Sequence, residues 1–156
     1  MTAPATPSWD LLQAVATRMA IIRTANGYRT ELGADVRTEA LPYDNVTALI
    51  LSLYVTSMPL LDEGSTPRQQ NGSVEFAFEA FCPGARAASQ ELAHQAIADI
   101  LDAFPRSQRA TPIGVGNSGL VITGRSILTR PNGAALIVAQ VTARAGLVER
   151  PIPRDL

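Results

Sequence analysis

The sequence predicts an α+β fold: a single domain in which a mostly antiparallel or mixed β-sheet carries two α-helices packed against it. Three observations predict it. Two long segments, from Trp9 to the Asn26-Gly27 break and from Arg86 to Phe104, repeat apolar residues at helical spacing. Residues 73–81 alternate in the period of a strand, with Val74, Phe76, Phe78 and Ala80 on one face and Glu75, Ala77, Glu79 and Phe81 on the other. Residues 120–129 and 135–144 read as a second pair of extended runs around a Pro131-Asn132-Gly133 turn. The expected order is α-β-β-β-α-β-β, and one sheet with two helices laid on it buries both helix stripes.

The elements follow in order. Residues 1–7 are rich in Ala, Thr and Pro and read as loose. Thr6, with Pro7 at the first helical position, or Ser8 can cap the first helix, and Asp10 suits its positive end. Leu12, Val15, Ala16, Met19 and Ile22 form its apolar stripe. Asn26-Gly27 can adopt the left-handed conformation that closes a helix. Residues 28–39 read as two short extended pieces around Gly33, and Pro42 to Asn45 as a turn. Residues 48–55, ALILSLYV, are apolar at nearly every position, as expected of a strand covered on both faces. This strand and residues 73–81 are expected to pair as an antiparallel hairpin across a long irregular connection, Met58 to Gly72. Pro83-Gly84 ends the strand, and Leu92, Ala93, Ala96, Ile97, Ile100, Leu101 and Phe104 line the buried face of the second helix. Pro105 stops that helix, and residues 106–118 read as irregular. The tail 147–156 carries Pro151 and Pro153 and is expected not to extend a sheet.

Composition bounds the function. At 156 residues the chain suits one domain, which can bury about 68–70% of the surface its unfolded form exposes. It is 46% hydrophobic and 17% charged, with net charge −1, which argues against a general nucleic-acid binder. All 13 basic residues are Arg. A GC-rich genome explains this; so does a chain rich in interfaces, because the planar guanidinium pairs carboxylates and stacks on rings. Cys82 is alone, so no intrachain disulfide can form, which fits a reducing compartment. No secretory signal or membrane-length apolar run is visible.

The chemical lookalikes are weak. Gly114 to Gly119 matches G-x-G-x-x-G, but Pro112 precedes it and a β-branched run follows, where a dinucleotide site needs a strand before and a helix after. Glu91 and His94 form one E-x-x-H, and His94 is the only histidine, whereas a di-metal bundle needs two such motifs. His94 is expected to face solvent. Cys82 with His94 sits in no recognised catalytic motif, and a small hydrophobe at a strand end explains the cysteine better. Glu75 and Glu79 stand roughly 13 Å apart on one strand face, beyond the spacing of paired glycosidase carboxylates, so a solvated or interface-facing surface is expected there. The sequons at Asn45 and Asn71 lack a secretory context. No catalytic, cofactor or metal site is expected.

What remains is irregular chain with apolar content. Long connections are uncommon unless they function or are disordered, and Met58, Leu60 and Leu61 would be awkward if permanently exposed. They either fold back onto their own core or meet a partner. The candidate interface comprises Met58, Leu60, Leu61, Asp62, Glu63, Arg68, Glu75, Glu79, Arg150, Pro151, Ile152 and Arg154.

The stretch IIRTANGYRTELGADV, Ile21 to Val36, is the most informative in the chain. It writes a way of leaving a helix and entering a sheet, and it resembles the N-terminal part of phage tail terminator (tail completion) proteins of the lambda type, with a similar NGY-T-acidic-x-G run. The resemblance in element order covers most of the domain. It implies a homo-oligomeric ring, a hexamer, at the head-proximal end of the tail in the virion, assembled in the host cytoplasm. Its partners would be other copies of itself, the tail tube protein and a head-completion or neck protein. DNA would pass through the channel without sequence-specific binding, and no cofactor or membrane is involved. Such a protein works by binding: a head-to-tail contact that closes gives a ring rather than a filament. Another head–tail connector or neck protein, a small enzyme using Cys82, and a ligand-binding domain are the alternatives.

Overall fold

The computed structural model describes residues 6–43, 46–84, 86–104, 117–129 and 136–150. The first helix, α1, spans Pro7–Met19, with Thr6 at the N-cap, Pro7 at the first position and Asp10 in the first turn. The cap position expected from Thr6-Pro7 is therefore the one used, although the Thr6 hydroxyl makes no capping bond. Leu11, Leu12, Val15 and Met19 form its buried stripe.

The helix ends earlier than its apolar pattern suggests. Ile22 is fully buried, yet it lies beyond the helix. Arg23 turns to extended backbone, a single 3-10 turn covers Thr24–Asn26, and Gly27 closes that turn at φ 87°. The left-handed glycine is real, but it ends a short turn and not the helix. Gly33 is followed by neither of the two expected extended pieces in full: Leu32–Ala34 is a second 3-10 turn, and only Val36–Arg37, β1, is strand.

Among the described residues five further strands and one helix follow: β2 Ile50–Ser57, β3 Leu60–Thr66, β4 Gln69–Pro83, α2 Arg86–Ala103, β5 Asn117–Thr129 and β6 Leu136–Glu149. The sheet order is β1-β2-β4-β6-β5, with β3 also pairing β4. β1 runs parallel to β2 and every other pairing is antiparallel, so the sheet is mixed. The α+β class holds, with one strand more than expected.

That strand is β3. The connection 58–72 is a continuation of a long hairpin, whose arms are β2 then β3 on one side and β4 on the other. Leu53 pairs with Phe78 in the proximal half and Leu60 with Gly72 in the distal half. Pro59 and Pro67 bracket β3, Gly64 interrupts it and it shows no alternation, which hid it in the sequence. The expected pairing of residues 48–55 with 73–81 is thus correct, and the hairpin extends past it. The tail is shorter than expected as well. Leu147, Val148 and Glu149 pair with Gly72, Asn71 and Gln70 of β4, so the sheet runs on to Glu149. The turn at 131–133, the Gly114–Gly116 part of the glycine motif, and most of 106–118 lie outside the described residues; Asn117 already begins β5.

Both helices cover one face of the sheet. The main core joins Leu11, Val15, Met19 and Ile22 with Phe76, Phe78, Ile100, Val141 and Ala143. Each large aliphatic side chain so buried contributes about 1.5–3 kcal/mol. Phe78 meets Phe104 edge-on, with centroids 6.4 Å apart. On the opposite face Phe81, Leu136 and Val138 form a smaller cluster under Leu41, Tyr43 and Val46. The two faces read from residues 74–81 are the two faces observed.

Candidate protein–protein interface

The motif of residues 21–36 builds the joint between the helices. Asp99 of α2 is fully buried, and its carboxylate accepts from the Arg29 and Thr30 amides at 3.1 and 2.8 Å, the Thr30 hydroxyl at 2.7 Å and Arg29 Nη1 at 3.1 Å. Arg29 reaches on to Asp102 at 2.7 Å. On the outer side Glu31 accepts from Arg23 and from the Thr24 amide and hydroxyl. The Thr24 hydroxyl first, then Arg23, pull the Glu31 carboxyl down to about 2. The Asn26 side chain donates to the Ile21 carbonyl at 2.9 Å. A Cβ on Gly33 would stand 2.6 Å from the Ala20 carbonyl oxygen and 2.7 Å from that of Met19, so only glycine lets this loop lie against the end of α1. Arg18 closes the joint from the other side, donating to the Ala103 carbonyl at the end of α2. These residues hold the fold.

The surface that faces outward is the distal hairpin. Pro59 has no amide to give the ladder, and β2 ends before it; its carbonyl accepts from Ser73 at 3.0 Å and pairing resumes at Leu60. Gly64, at φ 77°, lies where the register slips between Leu61 and Thr66. The bulge is tied by side chains. Ser65 Oγ donates to the Leu61 carbonyl at 2.5 Å and accepts from the Asn71 amide at 3.0 Å, while Gln70 Nε2 donates to the same carbonyl and hydroxyl. The segment is therefore ordered strand, and its apolar side chains still do not reach the core. Met58 is 56% exposed, Leu60 71% and Leu61 47%. Of the two readings left open by the sequence, the exposure of these three side chains among the described residues speaks against folding back onto the core. Asp62 and Arg68 are exposed beside them.

The other candidates divide. Glu75 is half-buried and accepts from Ser57 at 2.9 Å. Glu79 is the correction: it is 3% exposed, not on a solvated surface, and it accepts from the Tyr43 hydroxyl at 2.7 Å and from the Tyr54 hydroxyl. The cause is the flap carrying Tyr43, which folds over that end of the helix-free face. Burial and the Glu79 hydrogen bond push the Tyr43 phenol up to about 12 and raise that of Tyr54. Arg150 is exposed at the end of β6. Pro151, Ile152 and Arg154, and the side chain of Glu63, lie outside the described residues.

Among the described residues, Cys82 and His94 are not brought together. Cys82 is buried in the main core, and burial pushes its thiol up to about 12. His94 is exposed on α2, as expected, and shares a hydrogen bond with Gln90. Among the described residues no three potential metal ligands gather, and no helix is long and apolar enough to cross a membrane.

The sequence reading missed β3 and the role of Asp99. The second had a signal: Asp99 falls three residues after Ala96 and four before Ala103, inside the apolar stripe of α2. A carboxylate at a core position announces a partner that satisfies it.

No family model and no curated protein matches this sequence. The fold does match solved structures. A chain in the virion of a native gene transfer agent (GTA) particle superposes with a TM-score of 0.52 at 16% identity, over 90% of this chain and 91% of that one. At that identity the likeness is one of fold.

Proposed function

We propose that this chain is a structural protein of a phage-like virion, and that it forms a ring capping the tail tube. The observation that carries the reading is the distal hairpin, which presents Met58, Leu60 and Leu61 together to solvent; among the described residues Trp9, Val121 and Leu128 are the other exposed large apolar side chains. The fold shared with a chain of a gene transfer agent virion supports the virion setting. The resemblance of residues 21–36 to tail terminators supports the place at the head-proximal end. In this reading the protein performs no reaction. Copies contact one another through the hairpin, one face of the ring seats on the last ring of tube protein, and the other meets a head-completion or neck protein. Specificity comes from lacking the surface that would propagate the tube, as much as from matching its end. Arg150, Pro151, Ile152 and Arg154 contribute a second contact at the end of the chain.

The test is to add the purified protein to polymerising tail tube protein and image the products in negative stain. The expected result is tubes of arrested length with a ring at one end. Tubes of unchanged length without added end density would overturn the cap. A ring seated on the capsid side and never on a tube would move the protein to the neck. Deleting residues 151–156 as a block tests the second contact, which is wrong if the shortened chain caps tubes as well as the full one.

A further inference from the structure

We infer that the exposed hairpin of one copy docks in the groove between α2 and β5 of the next copy. This rests on the ring reading above and names the two surfaces that make the ring. The groove has a volume of about 530 Å³ and is lined by His94, Ile97, Leu101, Asp102, Arg125 and Ile127. It lies along β5, the last strand of the sheet. The hairpin arm β3 lies on the opposite edge, because β6 occupies the other side of β4 along nearly its full length.

Two different surfaces on opposite edges of one sheet are the geometry of a head-to-tail contact, which repeats from copy to copy and closes into a ring when its rotation allows. A self-complementary dimer contact would instead use one surface twice. The chemistry of the two surfaces is complementary. The hairpin offers the exposed side chain of Leu60, with the exposed carboxylate of Asp62 two residues further along the same strand. The groove offers Ile97, Leu101 and Ile127 with the exposed Arg125, which has no ion pair among the described residues, whereas Asp102 is already held by Arg29. A partner bringing an apolar side chain beside a carboxylate fits the apolar and cationic lining of the groove. A second copy of this chain carries that combination on the edge the contact requires.

The experiment uses the full chain with cysteines at both surfaces, Leu60→Cys and Ile127→Cys, because Cys82 is buried and silent. Mass in solution gives the oligomer, and oxidation followed by denaturing electrophoresis reads the contact. A ladder of linked copies that needs both cysteines supports the inference. An oligomer of unchanged mass with no ladder overturns the inference and leaves the ring standing. Linked pairs from Leu60→Cys alone overturn it too, because they show the hairpin meeting itself. A chain that stays monomeric, alone and with tube polymer from the same particle, removes the ring reading and this contact with it. Charge reversal is the second arm. Asp62→Arg and Arg125→Asp each weaken association about tenfold, and the double variant recovers most of it; two singles without effect, with melting temperatures unchanged, would count against the pairing.

Discussion

Replacing Asp99 tests whether the motif of residues 21–36 is a structural joint. Asp99→Ala removes the acceptor of four hydrogen bonds at once. Two of the donors, the amide and hydroxyl of Thr30, are on a residue only 3% exposed, so water cannot replace the lost carboxylate without opening the joint. Each buried donor left unmade costs about 1–3 kcal/mol. Arg29 is half-exposed and recovers its hydration, so its share is small. The expected loss is therefore about 3–5 kcal/mol, a large part of the roughly 5–15 kcal/mol that holds a domain. Asp99→Asn is the milder variant. Its oxygen can serve either the Arg29 side or the Thr30 side, and its amide then faces donors on the other; the Thr30 hydroxyl can turn to accept, but a backbone amide cannot. A loss of about 2 kcal/mol is expected. Urea unfolding followed by circular dichroism measures both, and an unchanged denaturant slope certifies that the change is in stability. A loss below about 1 kcal/mol for Asp99→Ala would refute the reasoning, because it would mean that Thr30 finds other partners in place.

Three further outcomes follow from the same geometry. Gly33→Ala places a methyl against two backbone carbonyls that cannot swing aside, and a loss of about 1–3 kcal/mol is expected in the same urea experiment; a neutral result would show that the loop shifts at no cost. Glu31 sits at about 2 against an ordinary 4.5, so the stability it gives is present above pH 4.5 and is lost as pH falls through 2; Glu31→Gln should flatten the acid limb of the stability curve between those values, and parallel curves for both proteins would contradict the assignment. Cys82 should resist iodoacetamide at pH 8 in the native protein and react on unfolding in urea, as its burial and raised pKa require; rapid native labelling, read by mass spectrometry, would place it at the surface.

The elements legible in the sequence were those whose pattern is local. The stripe of α2, the alternation of residues 74–81 and the Thr6-Pro7 start each depend on neighbours within a turn or two, and each stands where the pattern put it. What was illegible depends on contacts distant in the chain. Ile22 continues the spacing of α1 and is buried like the rest, yet its carbonyl accepts from Gly33 and the helix has already ended at Met19. Burial kept the apolar pattern while the hydrogen bonds changed. β3 was hidden for the opposite reason: its backbone pairs with β4, but it lies beyond the helices with nothing to cover, so no alternation was imposed on Leu60 to Thr66. Glu79 reads as a polar-face residue and is one, on a face that Tyr43 then closes from 36 positions away.

The length of β4 has a mechanical consequence. A single strand of 15 residues runs without a break from beneath α2 out to the hairpin turn, flanked by β6 on one side for nearly its whole length. The tip is thus the free end of a braced beam and needs no ordering when it meets another molecule. An association through it would forfeit little backbone freedom, so that modest apolar area would suffice. A load on the β4 arm is spread over the cross-links of the β4–β6 ladder, which is in unbroken register from Gln70 to Pro83.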